Sequence, residues 1–257
     1  MERVSIIMPA YNEERRIGKT LEIYSGYFEG LRRRKKLDYE IIVVINNTRD
    51  KTEEIVKKFR KENKRIRHLN FERGGKGFAV IEGFKNALKR DSSLIGFVDA
   101  DMATSPEEYY KLIQSIGEAD GAIASRYMRG ALIEPKPTMQ RLLAKRAFNV
   151  LSRALLLLPF KDTQCGAKIF KRDALKKILD NISLSQWAFD VDLLYSIKKA
   201  GFKIKEIPTR WFDKEYSKIN FWRAGPFMVL GVLRLRLYHS PLRSLIKIYD
   251  KILGFTG

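Results

Sequence analysis

Short runs of β-branched and aromatic residues recur along the first half of the chain, each followed by a helix-like stretch. This alternation limits the possible folds more than any other feature. Val4–Met8, Glu40–Ile45, Ile66–Asn70, Leu94–Val98 and Gly121–Ser125 read as strands. Glu40–Ile45 (E-I-I-V-V-I) and Leu94–Val98 (L-I-G-F-V) are nearly continuous apolar runs, as in strands covered on both faces. Asn12 to Phe28, Lys51–Lys61 and Phe78–Lys89 read as helices between them. Ser105-Pro106-Glu107-Glu108 opens another, with Ser as N-cap, Pro in the first turn and Glu at the capping-box position. Strands and helices alternating in this way predict an α/β fold, a mostly parallel central sheet with helices on both faces. Ligands of such sheets bind beyond the carboxyl ends of the strands. Asn46, Asp99, Asp101 and Arg126 all stand at or just past strand ends, so they are expected to gather at one rim.

The second half reads differently. Arg141–Leu158 is a long helical stretch with a very apolar end, Ala154–Leu158; Phe189–Ala200 is a helix and Ile204–Pro208 an edge strand. The tail is apolar and basic, which predicts a catalytic-size domain over residues 1–220 and a basic amphipathic tail over 221–257. Leu242, Leu245, Ile246, Tyr249, Ile252 and Leu253 recur at helical spacing, with Arg243, Lys247 and Lys251 on other faces. Such a helix lies either in a membrane interface, drawn to anionic headgroups, or against the protein's own core or a second copy.

The chain carries 50 Lys and Arg against 30 Asp and Glu, a formal net charge of +20. That excess suits a nucleic acid, a phosphorylated substrate or an anionic bilayer, or else a solvated Lys- and Glu-rich surface. No nucleic-acid recognition module is legible, so nucleic acid is not an expected partner. A single cysteine, Cys165, allows no internal disulfide and suits a reducing cytoplasm. No uncharged apolar run reaches the about 18 residues needed to span a bilayer, and Met1–Ser5 runs straight into a strand-like pattern. Membrane contact is therefore expected to be peripheral, on the cytoplasmic face.

The residues richest in chemistry are Asp99-Ala100-Asp101. Two carboxylates two residues apart, directly after a buried strand, can grip one Mg2+ or Mn2+ while it bridges diphosphate oxygens. The alternative is a pair of turn or capping acids ahead of the helix at Pro106.

Several segments, in order, resemble the family-2 glycosyltransferases. Val4-Ser5-Ile6-Ile7-Met8-Pro9-Ala10-Tyr11-Asn12-Glu13-Glu14 is similar to their opening motif, and Gly75-Lys76-Gly77 with Ala79, Gly83 and Ala87 to the next segment. Asp99-Ala100-Asp101 is similar to their metal motif. Asp162-Thr163-Gln164-Cys165-Gly166 with Lys168 and Phe170, then Trp187 to Leu194, then Ser217-Lys218, resemble the dolichyl-phosphate glucosyltransferase branch, close to the dolichyl-phosphate mannosyltransferases.

This resemblance implies a GT-A fold, the Rossmann-like nucleotide-sugar-binding architecture, and metal-dependent hexosyl transfer. It implies that Pro9, Ala10, Tyr11 and Glu13 line a nucleoside pocket, and that Lys76, in a flexible glycine-flanked loop, meets the diphosphate. Asp99 and Asp101 would hold the metal, Asp101 foremost, and Ser217-Lys218 would close over the donor. Arg126 and Arg141 would hold the acceptor phosphate, with Lys145 one turn away from Arg141. Asp190 and Asp192 lie where many relatives place a catalytic base. A phosphate acceptor is already ionised, so Asp192 is expected to orient groups more than to deprotonate them. The chain departs from the family where two Asp commonly follow the second strand; here stand Ile45, Asn46, Asn47 and Thr48. Asn46 can still accept a hydrogen bond from a base, so a UDP-sugar is the first expectation and a GDP-sugar the second. The implied reaction is inverting transfer of glucose, N-acetylglucosamine or mannose to a polyprenyl or dolichyl phosphate. Its rival is a soluble transferase acting on a sugar hydroxyl, with Asp192 as the base.

Overall fold

The computed structural model describes residues 1–136, 138–179, 182, 188–212 and 221–253, without the side chains of residues 141, 221–224, 247 and 251–253. A seven-stranded sheet runs in the order β3 (Ile66–Phe71), β2 (Asp38–Asn46), β1 (Arg3–Ala10), β4 (Leu94–Val98), β7 (Ala167–Lys171), β5 (Gly121–Ser125), β8 (Ile204–Pro208). All neighbours are parallel except β7, which is antiparallel to both β4 and β5. A small parallel ribbon pairs β6 (Leu132–Glu134) with β9 (Arg210–Phe212).

Alternation along the strands divides the core into two layers. Ile6, Met8, Ile41 and Val43 pack with Leu21, Tyr24 and Phe28 of α1 (Ile17–Arg33), near α2 (Thr52–Glu62) and α4 (Pro106–Ser115). Ile7, Ile42, Val44 and Phe97 face the other way, onto Val80 and Phe84 of α3 (Lys76–Leu88) and Phe189 and Leu193 of α7 (Phe189–Lys199). Because each of these strands is buried on both faces, its sequence reads as a nearly continuous apolar run, broken in β1 and β2 by the mutually bonded Ser5 and Glu40.

The expected elements are present, with three informative differences. The first helix starts at Ile17, not Asn12, because Asn12 adopts φ 52, outside the helical region. Helix α3 starts at Lys76, two residues earlier than Phe78, because Gly75 at φ 119 makes the sharp entry that a side chain would disfavour. Strand β7 has no counterpart in the apolar pattern of the sequence. Its sequence A-K-I-F-K places charges where a buried strand should be apolar, and Lys168 is fully buried within it. It is followed by the short helix α6 (Arg172–Ile178).

Ser105 caps α4, its side chain accepting a hydrogen bond from the Glu108 N–H at 3.4 Å. In the second half, α5 (Met139–Leu156) packs against α8 (Phe221–Tyr238); Met228, Val232 and Leu235 join Phe148 and Leu156 in the core. The expected tail stripe is divided: Arg243–Leu245 is a 3-10 turn, and α9 begins at Ile246 and runs to Leu253. Arg234 and Asp250 form a two-bond pair at 2.6 and 2.8 Å, and the Tyr249 hydroxyl donates to the Leu230 carbonyl, so α9 lies on α8. Leu242, Leu245 and Ile248 remain exposed. Among the described residues no helix is long and apolar enough to cross a membrane.

Candidate active site

Strands β1, β2, β4 and β5 run in the same direction, so their carboxyl ends form one rim, as the alternation predicted. At the end of β1, backbone N–H groups are fastened to the next loop: Asn12 to Thr48 Oγ1, Glu13 to Thr52 Oγ1 at 2.8 Å, Glu14 to Asp50 Oδ2 at 3.0 Å. Glu13 is itself gripped by Arg16 through two bonds of 2.7 Å. Pro9 is half-buried, Ala10 is buried, and Tyr11 stands at the rim at 47% exposure. Asn46 is buried and engaged at both ends: Nδ2 donates to the Ala10 carbonyl and Oδ1 accepts from the Gly75 N–H. These bonds make Asn46 a staple joining the β1, β2 and α3 loops. The base-reading contact expected of it would have to use the second lone pair of Oδ1.

The glycines around Lys76 serve close packing at a helix start. A Cβ on Gly77 would strike the Phe189 side chain, so its absence lets α7 approach the first turn of α3. That approach assembles an alternating row of charges. Lys76 Nζ lies 2.8 Å from Asp99 Oδ1 and 3.6 Å from Asp190 Oδ2. Lys168 Nζ lies 2.6 Å from Asp190 Oδ1 and donates to the Cys165 carbonyl, also at 2.6 Å. Both ammonium groups sit near the face of Phe97, at 5.5 and 5.3 Å from its centroid. Burial alone would lower the pKa of Lys76, but Asp190 and Asp99 hold it above the ordinary lysine range. Burial likewise opposes ionisation of Asp190, and Lys168 and Lys76 overcome it and hold the carboxyl below its usual range.

The Asp99–Asp101 loop is held from below by α1. The Thr20 hydroxyl donates to the Ala100 carbonyl and the Tyr24 hydroxyl to the Thr104 carbonyl, at 2.8 and 2.7 Å. Asp101 accepts from the Ala103 N–H at 2.9 Å, and Asp99 donates its N–H to Gly166. A Cβ on Gly166 would overlap the Asp99 carboxylate, so this glycine makes room for it. Burial, and then the neighbouring Asp99, push the Asp101 carboxyl above its ordinary pKa. Two carboxylates with one of them under-compensated suit a divalent cation. Among the described residues no group of three or more His, Cys, Asp or Glu gathers. A cation here would take its protein ligands from Asp101 and Asp99 and the remainder from diphosphate oxygens and water, the habit of Mg2+ and Mn2+ rather than of a closed structural site.

The other side of the rim is built around Arg126, just past β5. Its Nε and Nη2 face Asp162 at 2.7 and 2.9 Å, and its own N–H also donates to Asp162 at 2.9 Å. The pair is buried, with side-chain exposures of 9% and 1%. Burial opposes the charge on each, and each partner restores it: Arg126 is held above the usual range and Asp162 below. The guanidinium also lies over the Trp211 and Tyr127 rings, at 5.1 and 5.7 Å from their centroids. Asp162 takes a further N–H from Gln164, while its own N–H donates to Glu206. The adjacent Thr163 donates its N–H and hydroxyl to Asn149 on the inner face of α5. In the sequence, Asp162 and Lys168 stand only as letters of a motif. Nothing local marks a pair separated by 36 residues, such as Arg126 and Asp162.

The remaining expectations divide. Asp192, expected to orient groups more than to deprotonate them, is fully buried in α7, with Ser196 Oγ at 3.5 Å and His239 Nε2 at 3.9 Å. Two residues along a helix is about half a turn, so Asp190 faces Lys76 and Lys168 at the rim while Asp192 turns toward His239. Arg141 and Lys145 both lie on α5; Lys145 is half-buried, and the Arg141 side chain lies outside the described set. Ser217 and Lys218 also lie outside the described residues, as does Trp187. Cys165 is fully buried, and burial pushes its thiol up to about 12.

Residues 5–179 match the Glycosyl transferase family 2 profile. Glycosyltransferase AglD of Haloferax volcanii is 33% identical over 234 residues, which cover 90% of this chain. The dolichyl-phosphate beta-glucosyltransferase ALG5D of Trichomonas vaginalis is 32% identical over 250 residues, 92% of this chain. The chain spans 36% of the length of the first and 73% of the second. Among solved structures, glucosyl-3-phosphoglycerate synthase from Mycobacterium tuberculosis, in complex with Mn2+, UDP and glucosyl-3-phosphoglycerate, superposes with a TM-score of 0.64 at 17% identity. That match covers 92% of this chain and 79% of the other. S. aureus TarS 1-349 with UDP-GlcNAc gives 0.57 at 17% identity, over 99% of this chain and 71% of that one. At that identity the likeness concerns the fold, which is GT-A.

Proposed function

The chain belongs to glycosyl transferase family 2, and from that premise we propose that it transfers a hexose from a UDP-sugar to a polyprenyl phosphate, with inversion at the anomeric carbon. The observation carrying this reading is the pairing of two opposite charges on one rim: the Asp99 and Asp101 carboxylates past β4, and the buried Arg126 guanidinium past β5. The first suits a diphosphate held through a cation, and the second a phosphate monoester. Glucose is the sugar we favour, because the relatives that align over most of this chain are dolichyl-phosphate beta-glucosyltransferases. Glucose stands ahead of N-acetylglucosamine and mannose, and UDP ahead of GDP.

In this reading Tyr11, Pro9 and Ala10 line the nucleoside site, with Glu13 and Asn46 fixing its walls. Lys76 meets the diphosphate, and Ser217 and Lys218 close over it. When bound by Asp101 and Asp99, Mg2+ or Mn2+ would neutralise the charge that grows on the departing diphosphate. Asp162 turns two Arg126 donors inward and fixes the plane of the guanidinium, so Nη1 is the edge left to meet the acceptor, helped by Arg141 and Lys145. An acceptor oxygen forms the new bond to the anomeric carbon as the bond to the nucleoside diphosphate breaks. A phosphate monoester has its second pKa near about 6, so no strong base is needed. The burial of Asp192 gives no support to the rival in which it deprotonates a sugar hydroxyl.

The lipid acceptor requires a membrane surface, and α5 offers one. Its outer side exposes Met139, Leu143 and Val150, with exposed Leu157 just past its end, while Asn149 on its inner side reaches Thr163, beside Asp162. Residues 139–156 contain Arg141, Lys145, Arg146 and Arg153 and no acidic residue, which suits an anionic leaflet at the inner face of the cell membrane. The exposed Leu242, Leu245 and Ile248 extend the same character into the tail, which we take as residues 221–257 appended to a catalytic unit of 1–220.

The test is incubation with Mn2+ or Mg2+, polyprenyl phosphate and a panel of labelled nucleotide sugars. Lipid-phosphate-linked product is the expected outcome, and Arg141→Ala should raise the KM for the lipid with donor binding nearly intact. Transfer to a soluble sugar but to no lipid phosphate overturns the reading.

A further inference from the structure

The row Asp101, Asp99, Lys76, Asp190, Lys168 places one lysine between two carboxylates that need not both keep it. We propose that Lys76 is a placeholder cation for Asp99, and that Asp190 is the positioning residue that receives Lys76 when Asp99 turns to a divalent ion. This rests on the assignment of that ion to Asp99 and Asp101.

Lys76 Nζ is 2.8 Å from Asp99 and 3.6 Å from Asp190, so the two carboxylates flank one ammonium group. Changing partner takes a shift on the order of one ångström, from hydrogen-bonding distance of Asp99 to hydrogen-bonding distance of Asp190. Asp190 is prepared for it. Its Oδ1 is held by Lys168, which leaves Oδ2 directed at Lys76. Lys168 is itself fully buried and bonded to the Cys165 carbonyl. The Gly77–Phe189 contact fixes the start of α3 against the start of α7, so the distance from Lys76 to Asp190 is set by backbone packing.

Two consequences follow from electrostatics. With Asp99 compensated by Lys76, the pair of carboxylates avoids full mutual repulsion while no ion is bound. When the ion arrives, Lys76 is repelled from Asp99 and attracted to Asp190, whose position keeps the ammonium at the rim, within reach of a diphosphate. Lys76 therefore opposes the ion when nucleotide is absent and favours the nucleotide when it is present. A lysine with a purely structural role would affect both in the same direction.

The experiment measures Mn2+ affinity by calorimetry without nucleotide, and UDP affinity in the presence of saturating Mn2+. Lys76→Met should tighten nucleotide-free Mn2+ binding by about 3- to 10-fold and weaken UDP binding by a similar factor. Asp190→Asn should loosen nucleotide-free Mn2+ binding, because Lys76 then has Asp99 as its remaining carboxylate. In the Lys76→Met background, Asp190→Asn should have little further effect. Equal loosening in both backgrounds would mean that Asp190 acts only as one more distant negative charge, and overturns the exchange. Should Asp190→Asn fold poorly with Lys168 left unpaired, Lys168→Met with Asp190→Asn removes both charges together and is compared in the same two backgrounds. Lys76→Met alone also decides: unchanged or weaker Mn2+ binding sinks the proposal. If the parent protein binds no Mn2+ with or without UDP, the metal assignment itself fails, an outcome distinct from a parent that binds Mn2+ and variants that match it.

Discussion

The two halves of the sheet reach the same rim by different means. β3, β2, β1 and β4 are parallel neighbours connected through helices close in sequence, and their apolar runs alternate cleanly between two cores. β7, β5 and β8 depend on an antiparallel insertion, and the pairs that stabilise the site there are remote: Arg126 with Asp162, Lys168 with Asp190. The first half positions its carboxylates through loop geometry and backbone bonds. The second positions its cations through buried charge pairs. The lesson is that the first should tolerate loss of a functional side chain as a folded protein, whereas the second should not.

Substitutions can break that contrast. The largest expected effect is on the first half: Asp101→Ala should lower turnover by about 10²- to 10³-fold or more, with the urea unfolding midpoint hardly changed. A large fall in stability would show that the carboxylate is structural. Asp162→Ala addresses the second half, leaving the buried Arg126 without its partner. It should cost about 3–5 kcal/mol of stability by chemical denaturation, as well as activity. A change within about 0.5 kcal/mol would erase the distinction between the halves.

A smaller effect is expected at the surface of the second half. Leu143→Glu with Val150→Glu should reduce co-sedimentation with anionic vesicles by about tenfold and leave UDP binding unchanged. Binding by the parent protein should itself weaken with salt. Equal vesicle binding by parent and variant would remove α5 from the membrane face.

The smallest effect concerns pH, and its sign differs between the halves. In the folded protein Asp101 has a raised pKa, so its ionised form costs stability above that pKa, and the cost disappears as pH falls toward the ordinary carboxyl range. Asp101→Asn should therefore raise the metal-free melting temperature by about 2–4 °C for each kcal/mol relieved, at neutral pH, with the gain vanishing in acid. Asp162 has a lowered pKa, so the stability it contributes is present above the ordinary carboxyl range and is lost as pH falls through the lowered value. Melting curves of parent and variants from neutral to acid pH would show the two trends running in opposite directions.

By itself the sequence determined what depends on neighbours along the chain. Strand and helix alternation, the Ser105 cap and the run from β1 to β4 were all legible, and so was the placing of Asp99, Asp101 and Arg126 at strand ends. Periodicity and turn chemistry are local, and a residue's position past a strand follows from them. The resemblance of ordered motifs reached the family for the same reason, since each motif is contiguous. What tertiary structure decided is whatever depends on partners far apart. β7 looks like a surface segment until Asp190 is brought to Lys168, and the two Asp of α7 look equivalent until the helix turns one to the rim and buries the other against His239. Asn46 looks like a weakened base reader until Ala10 and Gly75 claim both ends of its amide. In each case a charge or amide is neutral as information until its partner is known, because burial penalises it alone and stabilises it in company.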